Sequence, residues 1–283
     1  MEKFEFTAKK SERVSKAIIS EVANVSFAQT QKLFRNKDVL LNGKRLSSDC
    51  NCNVGDKIVF FANINSKLTL QSVYEDENIL IVFKPHKMEV TKKDKSKNSS
   101  VTVEDITGFT ACHRLDRNTE GLVVLAKNSR VKNEMLNAFK NRNVSKFYRA
   151  LAFGRFEKES EVLKAYLTKD EKNSIVKVNR QSGDEIITKY TVISQLEDYA
   201  LLDVELITGK THQIRAHLDF IGHSIVGDEK YCSKQNRKMS EFYFKEFNGY
   251  ALTCCKLVFN FKKGGLLSYL NGKEVTCQPT WKI

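Results

Sequence analysis

His113-Arg114-Leu115-Asp116-Arg117-Asn118-Thr119-Glu120-Gly121 runs straight into Leu122-Val123-Val124-Leu125-Ala126. A dense polar cluster therefore stands at the mouth of an unbroken apolar run. Such a run, bounded by polar residues, reads as a strand buried on both faces. Upstream, Ile79-Leu80-Ile81-Val82-Phe83 is a second buried strand, stopped at Lys84-Pro85. Downstream, Ser129 is placed to cap a helix reaching about Asn141, with Met135, Leu136 and Phe139 as its apolar face. Strand patterns then dominate, over 146–153, 162–168, 174–179, 186–194 and 199–207. A helix is predicted near 211–221, ending at Gly222, and strand signals return at 250–261 and 266–277. Many strands with few interleaved helices predict an α+β fold with a mainly antiparallel sheet. No internal repeat is visible. No glycine-rich phosphate loop follows a strand, which argues against nucleotide cofactors and kinase chemistry.

Residues 10–62 read as a separate small module. Val14, Ile18 and Val22 share one helical face. A second short helix follows, with Ser26 as its cap and Phe27, Thr30 and Leu33-Phe34 at helical spacing. Val39-Leu40-Leu41-Asn42-Gly43-Lys44-Arg45-Leu46 carries Asn-Gly between apolar runs, the strongest short hairpin signal. Val54-Gly55 gives a further turn before a strand at Ile58-Val59-Phe60-Phe61. Lys32, Arg35, Lys37, Lys44 and Arg45 cluster near the junction. Residues 62–67 read as a polar linker, and residues 84–100 as a mobile basic loop, with six lysines against Glu89 and Asp94 between 84 and 97.

The chain of 283 residues has 41% hydrophobic and 29% charged residues, enough apolar material for a core, which excludes a wholly disordered chain. No run approaches the roughly 18 apolar residues of a membrane span. The opening Met1-Glu2-Lys3-Phe4-Glu5 goes directly into charged residues, so a cytoplasmic protein without a signal peptide is expected. The formal net charge of +13 favours a polyanionic partner, of which nucleic acid is the commonest; a lysine-rich surface of merely compositional origin is the alternative. Seven cysteines form no Cys-x-x-Cys pair and no disulfide framework, so free thiols in a reducing compartment are expected. His212 and His217 stand five apart with no third ligand at suitable spacing, and no metal is expected. Cys112 reads as a buried structural thiol.

A carboxylate between two arginines, Asp116 with Arg114 and Arg117, suits a nucleophile or general base. From spacing alone, a structural Arg–Asp corner is equally open. Tyr148 alone reads as a strand residue, Arg215 as an exposed helical arginine and Leu252 as core.

The segment His113-Arg114-Leu115-Asp116-Arg117-x-Thr119-x-Gly121-Leu122-x-Val124-x-Ala126-Lys127 resembles the signature of the RluA-like pseudouridine synthases. Tyr74-Glu75-Asp76-Glu77 through Lys84-Pro85, Lys146 to Gly154, Leu206 to Leu218 with Gly222 and Gly227-Asp228-x-x-Tyr231, and Ala251-Leu252 with Leu257-x-Phe259 resemble the family's other motifs in order. The N-terminal stretch resembles the S-four-type RNA-binding domain, named after a ribosomal small-subunit protein. The resemblance implies two domains: an S-four-type RNA-binding domain of αα-β build over 1–66, and over 67–283 a catalytic domain on a mixed, mainly antiparallel sheet.

It also implies isomerisation of uridine to pseudouridine in RNA, most simply in large-subunit ribosomal RNA. A tRNA substrate is the runner-up, and a non-catalytic RNA-binding or ribosome-assembly factor the rival from another class. Asp116 would be the catalytic carboxylate, attacking C1′ or helping to remove the 2′ proton. Arg215 would pair with it, and Tyr148 would stack on the base and assist at C5. Arg114 would fill the space left by the flipped uridine, and Leu252 would pack on the base. His113 and Arg117 join these two as substrate-binding residues. No cofactor and no metal are implied; a monomer with RNA as its partner and no membrane contact is expected. The chain departs from the family pattern at Glu120, Lys210 and Thr253, in the residue before Lys84-Pro85, and at Phe261-Lys262-Lys263.

Overall fold

A computed structural model describes residues 2–22, 25, 27–62, 69–92, 100–170, 175–262 and 264–282. Ser26, most of the 62–67 linker and residues 93–99 of the basic stretch lie outside the described residues. The chain forms two compact units, residues 1–69 with 93–101, and residues 70–92 with 102–283.

The first unit comprises β1 (Glu2–Thr7), β2 (Glu12–Arg13), α1 (Val14–Glu21), α2 (Phe27–Arg35), β3 (Val39–Leu41), β4 (Lys44–Leu46), β5 (Asn51–Cys52) and β6 (Lys57–Ala62). Asn42 at φ 49° and Gly43 at φ 82° turn β3 into β4. Two left-handed central residues match the right-handed twist of the flanking strands. The side chain of Asn42 accepts the Lys57 amide at 2.8 Å, which ties the turn to β6. β6 alternates, burying Ile58, Phe60 and Ala62 against Val14, Ile18 and Phe34. β1 is a strand that sequence reading did not anticipate. Its charged residues alternate with Phe4 and Phe6, and pairing with β6 stacks Phe4 on Phe60 at 5.0 Å. Lys32, Arg35, Lys37, Lys44 and Arg45 are all exposed.

The second unit adds β7 (Ser72–Glu75), β8 (Ile79–Lys84), α3 (Val103–Thr107), β9 (Thr110–Ala111), β10 (Glu120–Ala126), α4 (Ser129–Lys140), β11 (Val144–Phe153), β12 (Ser160–Asp170), β13 (Ile175–Asn179), β14 (Asp184–Gln195), β15 (Tyr199–Leu206), α5 (Gln213–Phe220), α6 (Arg237–Glu246), β16 (Leu252–Phe259) and β17 (Glu274–Thr276). One sheet runs β13-β12-β14-β15-β11-β16-β10-β8-β7, with β17 on β16 and β9 on β10. Its pairs are antiparallel except β10 with β16. This is the mainly antiparallel α+β architecture that the strand-rich sequence pattern predicts.

β10 is buried along its whole length. Gly121 has φ +117°, and a Cβ there would lie 2.3 Å from the Cys254 carbonyl oxygen. Glycine is thus required where β10 closes on β16, directly behind the loop that carries Asp116.

Three expectations are corrected. The cap of α4 is Asn128, not Ser129: its side chain accepts the Val131 amide, while Ser129 is already helical. The buried face of α4 is Val131, Met135 and Ala138, at i, i+4 and i+7, which leaves Leu136 on the outer side and 41% exposed. The predicted strand at 266–277 shrinks to β17, because Leu267 and Leu270, three apart, are buried together around a 3-10 turn at Ser268–Leu270.

Candidate active site

Asp116 sits in the loop that enters β10. Its own carbonyl closes a turn with the Thr119 amide at 3.0 Å. Leu115, beside it, is buried in the core. Three residues then hold the loop's next positions. Lys84, buried at the end of β8, donates to the carbonyls of Pro85, Met88 and Arg117 at 2.8, 2.9 and 3.1 Å. His86 Nδ1 meets the Asn118 carbonyl at 2.7 Å. The Thr119 and Tyr250 hydroxyls are 2.9 Å apart. Burial drives the Lys84 ammonium down to about 7, although Asp116 and Glu120 pull the other way.

The cation beside Asp116 is neither of its sequence neighbours. Arg114 and Arg117 are exposed, and Arg117 Nε donates to the Lys87 carbonyl at 3.2 Å. Arg215, 99 residues onward on α5, donates from Nη1 to Asp116 Oδ2 at 3.0 Å. The same guanidinium gives Nε and Nη2 to the two oxygens of Asp228, at 2.6 and 3.0 Å. Asp228 Oδ1 also accepts the amides of Lys230 and Tyr231 at 3.0 and 3.1 Å. The Arg215 guanidinium lies 4.9 Å from the Tyr231 ring centre and 4.5 Å from that of Tyr250. Burial opposes its charge, but Tyr250, Asp228 and Asp116 outweigh that and push its pKa up.

The start of α5 explains how Arg215 is aimed. His212, at φ 54°, occupies the cap position without a capping side-chain bond. Gln213 Oε1 takes the Lys210 amide at 3.1 Å and the Thr208 hydroxyl at 2.9 Å. The side chain of Asp116 is 25% exposed, against 7% for Arg215 and 1% for Asp228. An accessible carboxylate thus rests on a buried, rigid arginine. The Tyr250 hydroxyl, 3.4 Å away, also points at Asp116 Oδ2, and His212 Nε2 lies 3.8 Å from it. Burial pushes His212 down to about 4, against the pull of Asp116.

Tyr148 is buried on β11, at a register shift between Phe147 and Tyr148 in the pairing with β16. An irregularity of this kind re-aims a side chain. Burial, with Cys254 and Asp116 nearby, raises its phenol well above the ordinary value. Leu252 is buried in the same apolar cluster as Tyr148. His113 is not brought to this group. Its ring lies 4.7 Å from that of Phe139, its Nε2 accepts the Val124 amide at 3.1 Å, and burial lowers it to about 3.

Cys112 is buried, and burial pushes its thiol up to about 12. His212 and His217 diverge, to the Tyr231 and Thr188 hydroxyls at 2.9 and 3.1 Å. Among the described residues, no group of three His, Cys, Asp or Glu side chains could hold a metal ion. Sequence reasoning gave no role to Lys84, His86, Asp228 or Tyr250. Lys84-Pro85 and Gly227-Asp228-x-x-Tyr231 stood within recognised motifs, which was their signal. Tyr250 had none.

A family model described as RNA pseudouridylate synthase matches residues 78–220. An uncharacterized RNA pseudouridine synthase of Mycoplasma genitalium is 32% identical over 263 residues, covering 81% of this chain and 79% of the relative. The ribosomal large subunit pseudouridine synthase C of Vibrio parahaemolyticus is 27% identical over 245 residues, covering 79% of this chain and 78% of the relative. Human RNA pseudouridylate synthase domain containing 1 superposes with a TM-score of 0.58 at 20% identity, over 77% of this chain and 93% of the human one. That last likeness bears on the fold.

Proposed function

The chain belongs to the RNA pseudouridylate synthase family, isomerases that act on RNA, and we propose that it modifies large-subunit ribosomal RNA with Asp116 as its catalytic carboxylate. The observation that carries the site is the accessible Asp116 carboxylate fixed on Arg215, which Asp228 holds from behind. The reaction breaks the N1–C1′ bond, turns the uracil and joins C5 to C1′; the C5 proton leaves and N1 gains one. Asp116 either attacks C1′ or takes the 2′ proton, and a carboxylate oriented by a guanidinium serves both routes.

Tyr148 offers its ring to the target base. With its phenol raised far above neutrality, it meets the base as a hydroxyl and not as a phenolate. Leu252 packs on the base from the other side. Arg114, exposed two residues before Asp116, enters the space left by the flipped uridine, since C1′ cannot be reached in a stacked helix. Arg117, exposed on the same loop, contacts phosphate. His113 supports the loop from the core.

The substrate reading draws on relatives such as the Vibrio enzyme. Residues 1–66 act as an S-four-type RNA-binding domain, and 67–283 as the catalytic domain. What supports the first is its two helices on a small sheet with five exposed cations. The protein works as a monomer without cofactor in the cytoplasm. Its seven free thiols suit a reducing compartment, and no described helix is long and apolar enough to cross a membrane.

The test is pseudouridine mapping in ribosomal RNA and tRNA from cells lacking the protein, complemented with the wild type or with Asp116→Asn. Loss of one or more sites in large-subunit rRNA, restored only by the wild type, is expected. Loss confined to tRNA would overturn the substrate assignment.

A further inference from the structure

Glu120 and Thr253, two positions where the chain departs from the family pattern, face each other in the parallel β10–β16 pair. Thr253 Oγ1 donates to Glu120 Oε1 at 2.7 Å. Glu120 is fully buried, and a buried carboxylate must be met by hydrogen-bond donors. Thr280 supplies its amide to Oε1 at 2.9 Å and its hydroxyl to Oε2. Trp281 Nε1 donates to Thr253 Oγ1 at 2.9 Å and completes the cluster.

The remaining neighbour is His86. Its Nδ1 lies 2.7 Å from the Asn118 carbonyl, which can only accept, so Nδ1 carries a hydrogen. Its Nε2 lies 3.3 Å from Glu120 Oε2, with both side chains buried. Nε2 has no hydrogen-bond partner among the described residues, and Glu120 Oε2 is the polar atom that it faces. The ring has room because residue 249 is glycine: a Cβ there would fall 2.4 Å from His86 Nδ1.

We propose that His86 and Glu120 are positioning residues for Asp116, an inference that rests on the catalytic role given to Asp116 above. Contacts run without a break from Thr280 to Glu120, His86, the Asn118 carbonyl and the Asp116–Thr119 turn. His86 fixes the Asn118 carbonyl, between the Arg117 carbonyl held by Lys84 and the Thr119 hydroxyl held by Tyr250. Glu120 sets the ring's tilt. Without the pair, the turn shifts and Asp116 leaves its register with Arg215.

The test is a single-turnover assay on total RNA from cells lacking the protein, scored as pseudouridine formed, with RNA affinity measured in parallel. Wild type and Asp116→Asn serve as controls; an active Asp116→Asn would overturn the reading of Asp116 itself. Glu120→Ala and His86→Ala should each slow turnover ten- to a hundredfold, because a displacement of about 1 Å costs about a hundredfold. RNA affinity should stay within about twofold. Glu120→Gln should retain turnover within about threefold: its amide nitrogen, in place of Oε2, donates to a neutral Nε2, its oxygen keeps the bonds from the Thr253 hydroxyl and the Thr280 amide, and the Thr280 hydroxyl turns to accept the second amide hydrogen. Wild-type turnover in Glu120→Ala would overturn the proposal, and so would Glu120→Gln falling as far as Glu120→Ala. If Glu120→Ala shows no cooperative melt, His86→Ala decides, and wild-type turnover there overturns the proposal.

Discussion

Asp116→Asn removes the negative charge while keeping the shape of the side chain. The hydrogen bonds from Arg215 and Tyr250 both reach Oδ2, so the asparagine carbonyl can take that place with its amide turned away. Arg215 keeps both bonds to Asp228. The stability cost should therefore resemble that of a partly exposed ion pair, about 1 kcal/mol. Breaking the buried partnership from the other side, with Asp228→Ala, should cost about 3–5 kcal/mol. In a chain of this size, 1 kcal/mol lowers the melting temperature by about 2–4 °C. The rate is a separate matter, because a neutral amide is neither a usable nucleophile nor a base. Pseudouridine formation should fall a thousandfold or more, about 4 kcal/mol of barrier at 1.36 kcal/mol per decade. RNA affinity should barely move, since phosphate contacts dominate it. Single-turnover kinetics, filter binding and a thermal melt separate the three quantities. A variant keeping a tenth of the wild-type rate would remove Asp116 from the chemistry. Loss of RNA binding in step with rate would make the loop a structural Arg–Asp corner.

Acidification should destabilise the protein through its buried histidines. His113 falls to about 3 from an ordinary value near 6.5, so between those pH values the unfolded chain binds more protons than the folded one. Stability is therefore lost as pH drops below about 6.5, by roughly 3 kcal/mol from His113 at pH 4. His212 and His217, both lowered to about 4, act in the same direction. Thermal melts from pH 7 to 4 should show this, and His113→Gln should flatten the slope; an unchanged slope would refute it. Replacing Lys32, Arg35, Lys44 and Arg45 together by alanine should weaken binding to long RNA and shallow the salt dependence, with turnover of bound RNA unchanged. For every phosphate that these cations neutralise, the slope of log K on log salt should fall by about 0.7–0.9, and an unaltered slope would deny them a phosphate role.

Local patterns were legible where local forces decide them. The Asn42-Gly43 hairpin, the buried run at Leu122–Ala126 and the alternating strands of the large sheet follow from φ preference and periodicity. The Asp116 loop was legible because its residues are contiguous. Its cation was not legible from spacing: the charges adjacent in sequence, Arg114 and Arg117, point to solvent, and only the resemblance to known motifs named Arg215. Tyr250 touches Asp116 and Thr119 across more than 130 residues, and nothing in its own neighbourhood announces that. α6 was missed because its residues Arg237 to Glu246 lack a capping side chain and bury little beyond Ser240. β1 was missed because charges interrupt its apolar residues, and β6 alone gives the alternation a meaning.

The departures from the family pattern gain physical sense from where they fall. Lys210 pairs with Asp184 at 3.0 Å, with both side chains substantially exposed, and does not touch Asp116. Glu120 and Thr253 contact each other, and together with His86, Gly249 and Thr280 they form one cluster, buried except at Thr280. Taken singly, Glu120 would be an unpaired buried charge and Gly249 an unfilled space beside β16. Taken together, the carboxylate is met by three donors from Thr253 and Thr280, and the space is filled by an imidazole that grips the loop. A partial version would be worse than none, because each buried polar atom left alone costs about 1–3 kcal/mol. These residues therefore stand or fall as a set. The set ends on the Asn118 carbonyl, two residues from Asp116, so its effect reaches the reacting carboxylate through the turn and not through direct contact.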